Sequence, residues 1–365
     1  MRLHSCGPRL LCAFLLLLFA SSLSFGLGFT NVTVDCTGAT PGAFTSLNQA
    51  IASSPDNSNF LVSGTCNESG VTIENRNNLS INPSPTATIQ TTVPDQPLIF
   101  VGDSQNITIN NLTLNGGQGL EIINSSGISL IGNTIKNSGL FGINTSNSGV
   151  LVLSGSITGS TRSGVVTNGG TVTLAGVNIS NNGRLGISSA TTHLIITDGS
   201  NGGSSLPTVV ANNGVAGVQI TNSSQGDFVD LQITNNAGNN FGLQAFTNTA
   251  VIMQGGSISG NTGVGVNCGS STTCEFSQTQ INGNSGNGVQ VTTHGGLALE
   301  GGVQIMGNQG IGVLIDQAST YASNGGNTIS GNTGDGLVVN ALSALNFLAP
   351  DTITATLNNL TLATA

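Results

Sequence analysis

The chain has 365 residues, a formal net charge of −9 at pH 7 and only 6% charged residues, against about 25% in ordinary globular domains. Because 37% of the residues are apolar, the chain can bury a core and is not expected to be disordered. The 53 glycines show no three-residue period, which excludes collagen. Fifteen acidic against six basic side chains would repel phosphate backbones and anionic headgroups, so we expect binding to neither nucleic acid nor anionic membranes.

The first predicted element is a secretory signal peptide at residues 1–26. Arg2 and Arg9 form a basic start, residues 10–20 are an apolar run too short to cross a bilayer comfortably, and small residues follow. A membrane anchor is the alternative; lipid attachment at Cys12 is disfavoured because the apolar run follows that cysteine. No later segment is apolar for 18 residues, so we expect a secreted mature chain without a membrane span and with a net charge of −11.

Residues 27–100 are predicted to form an N-terminal cap and the first turns of a repeat. The sequence "VTVDCTGATPGAFTSLNQAIASSPDNSNFLVSGTCNESGVTI" is typical of a strand, a short helix and a strand. Phe44, Leu47, Ala50 and Ile51 would fall on one face of that helix. A helix over the first strands would cover an edge that otherwise invites aggregation.

Residues 101–345 are assigned to a repeat of 22–25 residues. A glycine precedes a short apolar strand ten times, from "GLEI" at Gly119 to "GLVV" at Gly336, and one step of 31 residues marks an insertion at 197–207. The residue after each glycine is aliphatic, and the residue two further on is often apolar, which is the period of a strand. Units this small bury a core only by stacking. The sequence therefore predicts an all-β parallel β-helix solenoid of about ten or more turns.

One hexapeptide recurs in the repeat, as "GNTGVG" (260–265), "GNSGNG" (283–288), "GNQGIG" (307–312) and "GNTGDG" (331–336). We interpret it as a corner of the coil. Its last glycine is expected to take backbone angles that a Cβ disfavours. Its asparagine is expected to tolerate a left-handed conformation and to hydrogen-bond its stacked copy. Residues 346–365 alternate like a further strand.

This pattern resembles the right-handed parallel β-helix, or pectin-lyase-like, superfamily over about residues 31–345. The resemblance implies the right-handed coil and the helix that caps its N-terminal end. Enzymes of this superfamily act on acidic polysaccharides in a groove along one sheet. The matching outward positions are the second residues after the repeat glycine, a mostly amide and hydroxyl ladder: Glu121, Asn144, Val166, Ser188, Gln219, Gln244, Asn267, Gln290, Leu314 and Val338. Such a ladder could bind a glycan; the alternative is a solvated strand face.

Four cysteines remain after cleavage of the signal peptide, namely Cys36, Cys66, Cys268 and Cys274. An even number in an exported chain indicates disulfides. Of the three possible pairings, we favour Cys36–Cys66 and Cys268–Cys274 because the two pairs lie far apart along the chain. A zinc site is the alternative, but no close Cys-x-x-Cys or His-x-x-x-His pattern occurs, and no metal is predicted.

Lyase chemistry would need a base and a cation. In pectate-lyase relatives an Arg or Lys is the base and an acidic cluster holds calcium, so calcium is expected only under this interpretation and no other cofactor is predicted. The basic candidates are Lys136, Arg162 and Arg184. Arg162 and Arg184 both lie two residues before a corner glycine, so we expect them on adjacent turns roughly 5 Å apart. Two like charges that close are unfavourable unless an anion bridges them; the alternative is two solvated guanidiniums.

Hydrolase chemistry would need two carboxylates across the scissile bond. The Asn-Thr-Asp, Asp-Asp, Gly-His-Gly and Arg-Ile-Lys motifs of polygalacturonase-type relatives are absent. Asp227 and Asp230 share one strand and Asp198 lies in the insertion, but nothing in the sequence places the three together. His193 and His294 are interpreted as isolated surface residues.

Aromatic side chains that stack on sugar rings are scarce, because the chain has no Trp and one Tyr. Four phenylalanines of the repeat, Phe228, Phe241, Phe246 and Phe276, are expected to pack inside the coil. Three functions remain open. The first is a secreted, non-catalytic protein whose polar face binds an extracellular polysaccharide or a cell-surface protein. The second is a polysaccharide lyase or hydrolase that acts on acidic polysaccharide, and the third is a structural rod in an exported assembly.

Overall fold

The computed structural model describes residues 28–91, 93–199, 206–238, 240–340, 342–354 and 361–362. The predicted signal peptide and residues 200–205 of the predicted insertion lie outside the described residues. The described part of the chain contains one short helix and 36 strands, which pair in parallel throughout. None of its helices has the length and apolar character needed to span a membrane.

Each turn of the coil contributes strands to three parallel sheets, here called faces A, B and C. Face A follows the repeat glycine and has thirteen described strands, so the solenoid has about thirteen turns. Strands are numbered β1–β36 in chain order. Those of face A are β3 (Val71–Glu74), β5 (Ile99–Gly102), β8 (Leu120–Ile123), the first part of β11 (Ile143–Leu153), the first part of β13 (Val165–Ala175), β15 (Leu185–Ala190), β18 (Ala216–Thr221), β21 (Phe241–Phe246), β24 (Val264–Gly269), β27 (Val289–Thr292), β30 (Val313–Ile315), β33 (Leu337–Val339) and β36 (Thr361–Leu362).

Face B follows face A around each turn, and face C closes the turn. Face B comprises β1 (Thr30–Asp35), the first parts of β2 (Ser58–Asn67) and β4 (Asn77–Gln90), β6 (Gln105–Asn110), β9 (Ile128–Ile131), the second parts of β11 and β13, β16 (His193–Thr197), β19 (Gln225–Val229), β22 (Ala250–Gln254), β25 (Thr273–Ser277), β28 (Gly296–Leu299), β31 (Thr320–Ser323) and β34 (Ala344–Phe347). Face C comprises the second parts of β2 and β4, β7 (Thr113–Asn115), β10 (Thr134–Lys136), β12 (Ser156–Thr158), β14 (Asn178–Ser180), β17 (Val209–Ala211), β20 (Gln232–Thr234), β23 (Ser257–Ser259), β26 (Gln280–Asn282), β29 (Gln304–Met306), β32 (Thr328–Ser330) and β35 (Thr352–Thr354).

The core is a set of aliphatic columns that run along the rod. The first residues after the repeat glycine are register partners from turn to turn, and each is fully buried: Val218, Leu243, Val266, Val289 and Val313. Faces B and C add their own columns, with Phe276 and Ile281 also fully buried. The predicted parallel β-helix is therefore confirmed, because each turn completes the interior of the next one.

The last glycine of the hexapeptide is required by space, and the prediction that it needs unusual backbone angles is wrong. Gly312 has no positive φ. A Cβ on Gly312 would lie 2.5 Å from the carbonyl oxygen of Gly336 and 2.6 Å from Cγ2 of Ile329. The left-handed backbone belongs to the first glycine of the hexapeptide; Gly307, for example, has a φ of +63°.

The hexapeptide asparagine belongs to a buried ladder of seven side chains on successive turns. In each of the first six, Nδ2 donates to Oδ1 of the next at 2.9–3.0 Å. The predicted bonding between stacked copies is confirmed. The left-handed conformation is not, because none of the seven has a positive φ. The ladder consists of Asn182, Asn213, Asn236, Asn261, Asn284, Asn308 and Asn332.

The helix α1 (Leu47–Ser53) lies at the N-terminal end of the rod and buries Leu47, Ala50 and Ile51. Ser46 caps it by accepting a hydrogen bond from the N–H of Gln49 at 3.2 Å. Because the helix starts after this cap, Phe44 is not helical, contrary to the prediction, and forms an isolated bridge with Val34.

Both predicted disulfides are present. Cys36 is bonded to Cys66 and Cys268 to Cys274. The first links the loop after β1 to β2, beside α1. The second links the end of face A to the start of face B within one turn.

Candidate functional site

The ten predicted ladder residues form one straight column on the outer surface of face A. Register pairs run from Glu121 and Asn144 to Leu314 and Val338 without a break. Nine of them are half-buried, whereas Val338 is only 7% exposed. Four consecutive turns carry amides, and these four residues are here called the amide ladder: Gln219, Gln244, Asn267 and Gln290.

The amide ladder satisfies only part of its own hydrogen-bonding capacity. Nε2 of Gln219 donates to Oε1 of Gln244 at 2.8 Å. Among the described residues, the side chains of Asn267 and Gln290 make no hydrogen bond. Oδ1 of Asn267 is itself buried and closed to a ligand. A primary amide carries two donor hydrogens and an acceptor oxygen, so the other groups of these half-exposed amides can still bind one.

Two phenyl rings flank the ladder, which corrects the prediction that Phe241 and Phe246 pack inside the coil. Both are half-buried on the outer surface of β21, as is Gln244 between them, whereas Leu243 is fully buried. Residues 244 and 246 face outward through the ordinary alternation after Leu243. Gly242 and Leu243 both face the interior, and this double inward step places residue 241 outward as well. The other two phenylalanines, Phe228 and Phe276, do pack inside, at 2% and 0% exposure.

Phe241 and Phe246 lie about 16 Å apart along the strand, at about 3.3 Å per residue. The same columns continue with Val264 beside Phe241 and with Thr221 and Gly269 beside Phe246. We call the two phenyl rings together with the amide ladder the aromatic–amide surface. It presents flat apolar faces and neutral polar groups side by side.

The three basic candidates are divided between two parts of the rod. Arg162 and Arg184 are exposed at the corner before face A, and the N–H of Arg184 donates to the carbonyl of Arg162 at 2.8 Å. The expected stacking on adjacent turns is confirmed. Within the described residues neither guanidinium forms an ion pair. Lys136 ends β10 on face C, between Asn115 and Thr158, and is therefore on a different sheet.

The three candidate carboxylates lie at two separate places, which the sequence did not indicate. Asp198 and Asp230 line one open polar cavity of about 550 Å³ beside the insertion, together with Gln232 and Gln280. Asp227 faces outward on face B, within β19. Asp230 lies beyond the end of that strand, at a corner residue with a φ of +52°, so the two carboxylates are on different parts of the turn.

His193 is not isolated, contrary to the prediction. Its Nε2 lies 2.6 Å from Oδ2 of Asp227, and Gln225 donates to both oxygens of the same carboxylate. No local signal could reveal this contact, because the two residues are 34 positions apart across the insertion. His294 is exposed at a corner, as predicted.

One outward carboxylate of face B has a shifted pKa. Desolvation raises the pKa of Glu275, and the neighbouring carboxylate of Glu300 adds to the effect. Across the described ranges, no group of three or more His, Cys, Asp or Glu side chains is placed to hold a metal ion.

Comparisons with known proteins place this geometry in a broad structural class. A family model described as "Right handed beta helix region" matches residues 97–201. No curated protein matches the sequence significantly. Similar solved structures include the A-module of the Azotobacter vinelandii mannuronan C-5 epimerase AlgE4, with 14% identity, a TM-score of 0.53 and coverage of 87% of this chain and 94% of that chain.

Two further solved structures carry different functions on the same coil. PfbA, a surface adhesin of Streptococcus pneumoniae, is 11% identical with a TM-score of 0.55 and covers 84% of this chain and 92% of its own. The Dettilon tailspike protein is 14% identical with a TM-score of 0.51, at 86% and 68% coverage. At these identities the likeness shows the fold alone. The chain therefore has the fold of a right-handed parallel β-helix, and the matching family model covers residues 97–201 of it.

Proposed function

We propose that this protein is an exported, non-catalytic β-helix that binds an extracellular polysaccharide through the aromatic–amide surface. The observation that carries the proposal is the outward placement of Phe241 and Phe246 on both sides of Gln244. Aromatic rings in the core would only stabilise the fold, whereas rings on the outer sheet surface are available to a ligand.

The chemistry of the surface suits a sugar polymer. One face of a pyranose ring presents C–H groups, which pack on a phenyl ring as an apolar contact. The hydroxyl groups around the ring edge need partners that both donate and accept, and amides do both. Phe241, Phe246 and the amide ladder supply these two kinds of contact within four neighbouring turns.

Export is supported by the disulfides, which persist in oxidising compartments, and by the signal peptide predicted at residues 1–26. The solved neighbours include a surface adhesin and a tailspike. A cell-surface protein remains a second possible partner class, but the side-by-side rings and amides favour a polysaccharide.

The test measures binding of the mature chain to a panel of immobilised polysaccharides, including pectate, alginate, glucan, mannan and xylan. The variant Phe241→Ala/Phe246→Ala is compared with Ile252→Ala, whose side chain is 46% exposed on face B. We expect the double variant to weaken binding by about tenfold or more, equivalent to roughly 1.4 kcal/mol. The control should bind within about twofold of the wild type. Absence of binding to every member, or equal loss in the control, would contradict the proposal.

A lyase is the second candidate, favoured by the stacked pair Arg162 and Arg184. The same polysaccharides are incubated with and without calcium while new unsaturated ends are followed by absorbance. Cleavage that disappears in Arg184→Ala would establish the lyase and overturn the non-catalytic proposal. Binding without cleavage would exclude the lyase.

A structural rod is the third candidate. The last described turn exposes apolar side chains, among them Leu342 at 82% and Leu348 at 69% exposure, and such side chains favour association. This candidate predicts concentration-dependent assembly in sedimentation experiments together with neither polysaccharide binding nor cleavage. A monomer that binds a polysaccharide would exclude it.

A further inference from the structure

We infer that the bound glycan is an uncharged, extended chain that runs along the rod axis, with one sugar residue over each amide of the ladder. This inference rests on the proposed function and adds the chemical class and direction of the ligand. It is carried by the charges around the aromatic–amide surface and by the spacing of the amides.

The outer surface of face A carries no charge over the four turns of the ladder. The outward positions from β18 to β27 hold amides, hydroxyls, Val264 and the two phenyl rings. The nearest carboxylate beyond the ladder is Asp316, which directly follows β30 one turn after β27, and Glu121 lies on the same sheet four turns before β18. A uronic-acid polymer would therefore meet no counter-charge on the ladder and repulsion beyond it.

The cations are in the wrong place to neutralise an acidic polymer on the ladder. Arg184, the last basic residue of the chain, lies at the corner edge of the turn before β18. It could contact at most one end of a ligand that covers four turns. His294 is exposed at the corner between β27 and β28, in the last of these four turns. An acidic sugar on each turn would thus remain largely uncompensated, against a chain with a net charge of −9.

The spacing of the ladder fixes the direction. Adjacent strands of a sheet are about 4.8 Å apart, which is close to the length of one pyranose residue in an extended chain. Gln219, Gln244, Asn267 and Gln290 are register partners on consecutive turns, so they repeat at that interval. The ladder ends at Ser188 on one side and at Leu314 on the other. Phe241 and Phe246 would bound the path on its two sides.

The experiment uses isothermal titration calorimetry of the full mature chain. The probes are β-1,4-linked glucan and mannan oligosaccharides of two to six units and galacturonate oligomers of the same lengths. We expect affinity for at least one neutral series to rise up to four units and then level off. The galacturonate series should bind at least about tenfold more weakly, and the neutral binding should not change between low and high salt.

A variant that adds a positive charge to the ladder tests whether the lack of charge excludes acidic oligomers. Gln244→Lys should gain binding to the galacturonate oligomers, whereas Gln304→Lys, at an exposed position on face C, should not. Circular dichroism of both variants checks that they are folded, so that a lack of binding is not attributed to the charge when the protein is unfolded.

The outcomes separate this inference from the proposed function. Tight galacturonate binding to the wild type that is lost in Gln244→Ala would overturn the uncharged ligand and leave the binding surface in place. Neutral binding that levels off at two units, or that still rises at six, would overturn the placement of one sugar per turn. Neutral binding that Gln244→Ala does not change, or no binding by any oligomer, would overturn both.

Discussion

Asparagine has two distinct roles in this protein, and its place in the turn decides between them. Asn235 and Asn248 take left-handed corner conformations, with φ of +54° and +57°. Asn284 instead lies fully buried in the ladder. Its Oδ1 accepts from the backbone N–H and from Nδ2 of Asn261, and its Nδ2 donates to the carbonyl of Ile258 and to Oδ1 of Asn308. One side chain thus satisfies groups on both neighbouring turns.

Replacement of Asn284 by alanine should destabilise the protein strongly. It would leave the buried N–H of Asn261 and the carbonyl of Ile258 without these partners, and each orphaned group costs about 1–3 kcal/mol. We expect a loss of about 2–4 kcal/mol in the free energy of unfolding, measured by urea titration. Asn178→Ala, at an exposed position of β14, is the matched control and should change stability by less than about 0.5 kcal/mol. Similar losses in both variants would show that the ladder contributes little.

Two glycines of one hexapeptide separate the effect of space from that of backbone conformation. Gly312→Ala would force a Cβ against the carbonyl of Gly336, and overpacking of this kind costs about 3 kcal/mol. Gly307→Ala meets no atom within 4 Å but keeps a φ of +63°, which costs roughly 1–2 kcal/mol. Thermal unfolding should therefore show the larger loss for Gly312→Ala. A larger loss for Gly307→Ala would mean that backbone conformation, and not space, is the main reason for glycine at this corner.

At the scale of elements, the N-terminal cap is stabilised by side chains from the connections that follow β2 and β3. Both oxygens of Glu68 bind the start of α1, one to the N–H of Leu47 and the other to the hydroxyl of Ser46. Arg76 donates to the carbonyls of Ile51 and Ser54 at the other end of the helix. The seven-residue helix is too short to be stable alone, so these contacts and its buried face hold it in place.

Asp35 makes the stability of the cap dependent on pH. Hydrogen bonds from Thr37, and then from Thr40, hold the pKa of Asp35 well below its usual range. Because the folded pKa is lowered, the carboxylate stabilises the fold fully above the unfolded pKa of about 3.9. This contribution is lost as the pH falls from there through the lower folded pKa.

The measurement is the melting temperature of wild type and Asp35→Asn between neutral pH and strongly acidic pH. We expect the variant to be less stable at neutral pH and the difference to shrink below about pH 4. Asp95→Asn, an exposed substitution in a nearby turn, serves as the control and should follow the wild-type curve. A difference between wild type and Asp35→Asn that stays constant with pH would contradict this role for the carboxylate.

At the scale of the whole molecule, buried apolar side chains and hydrogen bonds between turns contribute more to stability than charged pairs do. The described residues contain two ion pairs, Arg76 with Asp56 and His193 with Asp227, and partly exposed pairs of this kind contribute at most about 1 kcal/mol each. A net charge of −9 works against the compact state through self-repulsion. The rod therefore depends on the aliphatic columns and on the asparagine ladder.

Added salt should consequently stabilise the protein slightly. Screening weakens the repulsion among fifteen acidic side chains, while few favourable pairs are lost. We expect the melting temperature at neutral pH to rise between low and high sodium chloride, by an amount equivalent to less than about 1 kcal/mol. A clear fall in the melting temperature would mean that ion pairs contribute more to stability than this structure indicates.

The sequence by itself determined the coil, its approximate number of turns, its core columns, both disulfides and the column that contains Gln219 and Gln244. These features repeat at a near-constant interval, so the period alone shows which residues recur at equivalent places in the turn. Even the adjacency of Arg162 and Arg184 follows from one repeat length.

The tertiary structure decided the side-chain directions and contacts that depend on departures from that period. Phe241 faces outward because Gly242 and Leu243 both turn inward, whereas Phe246 faces outward through the ordinary alternation after Leu243. His193 contacts Asp227, and Asp198 lines the same cavity as Asp230, because an insertion changes the spacing between adjacent turns. The reason is physical: neighbours in this fold are separated by a whole turn of chain, so a local deviation decides which side chains meet and which side of the sheet they face.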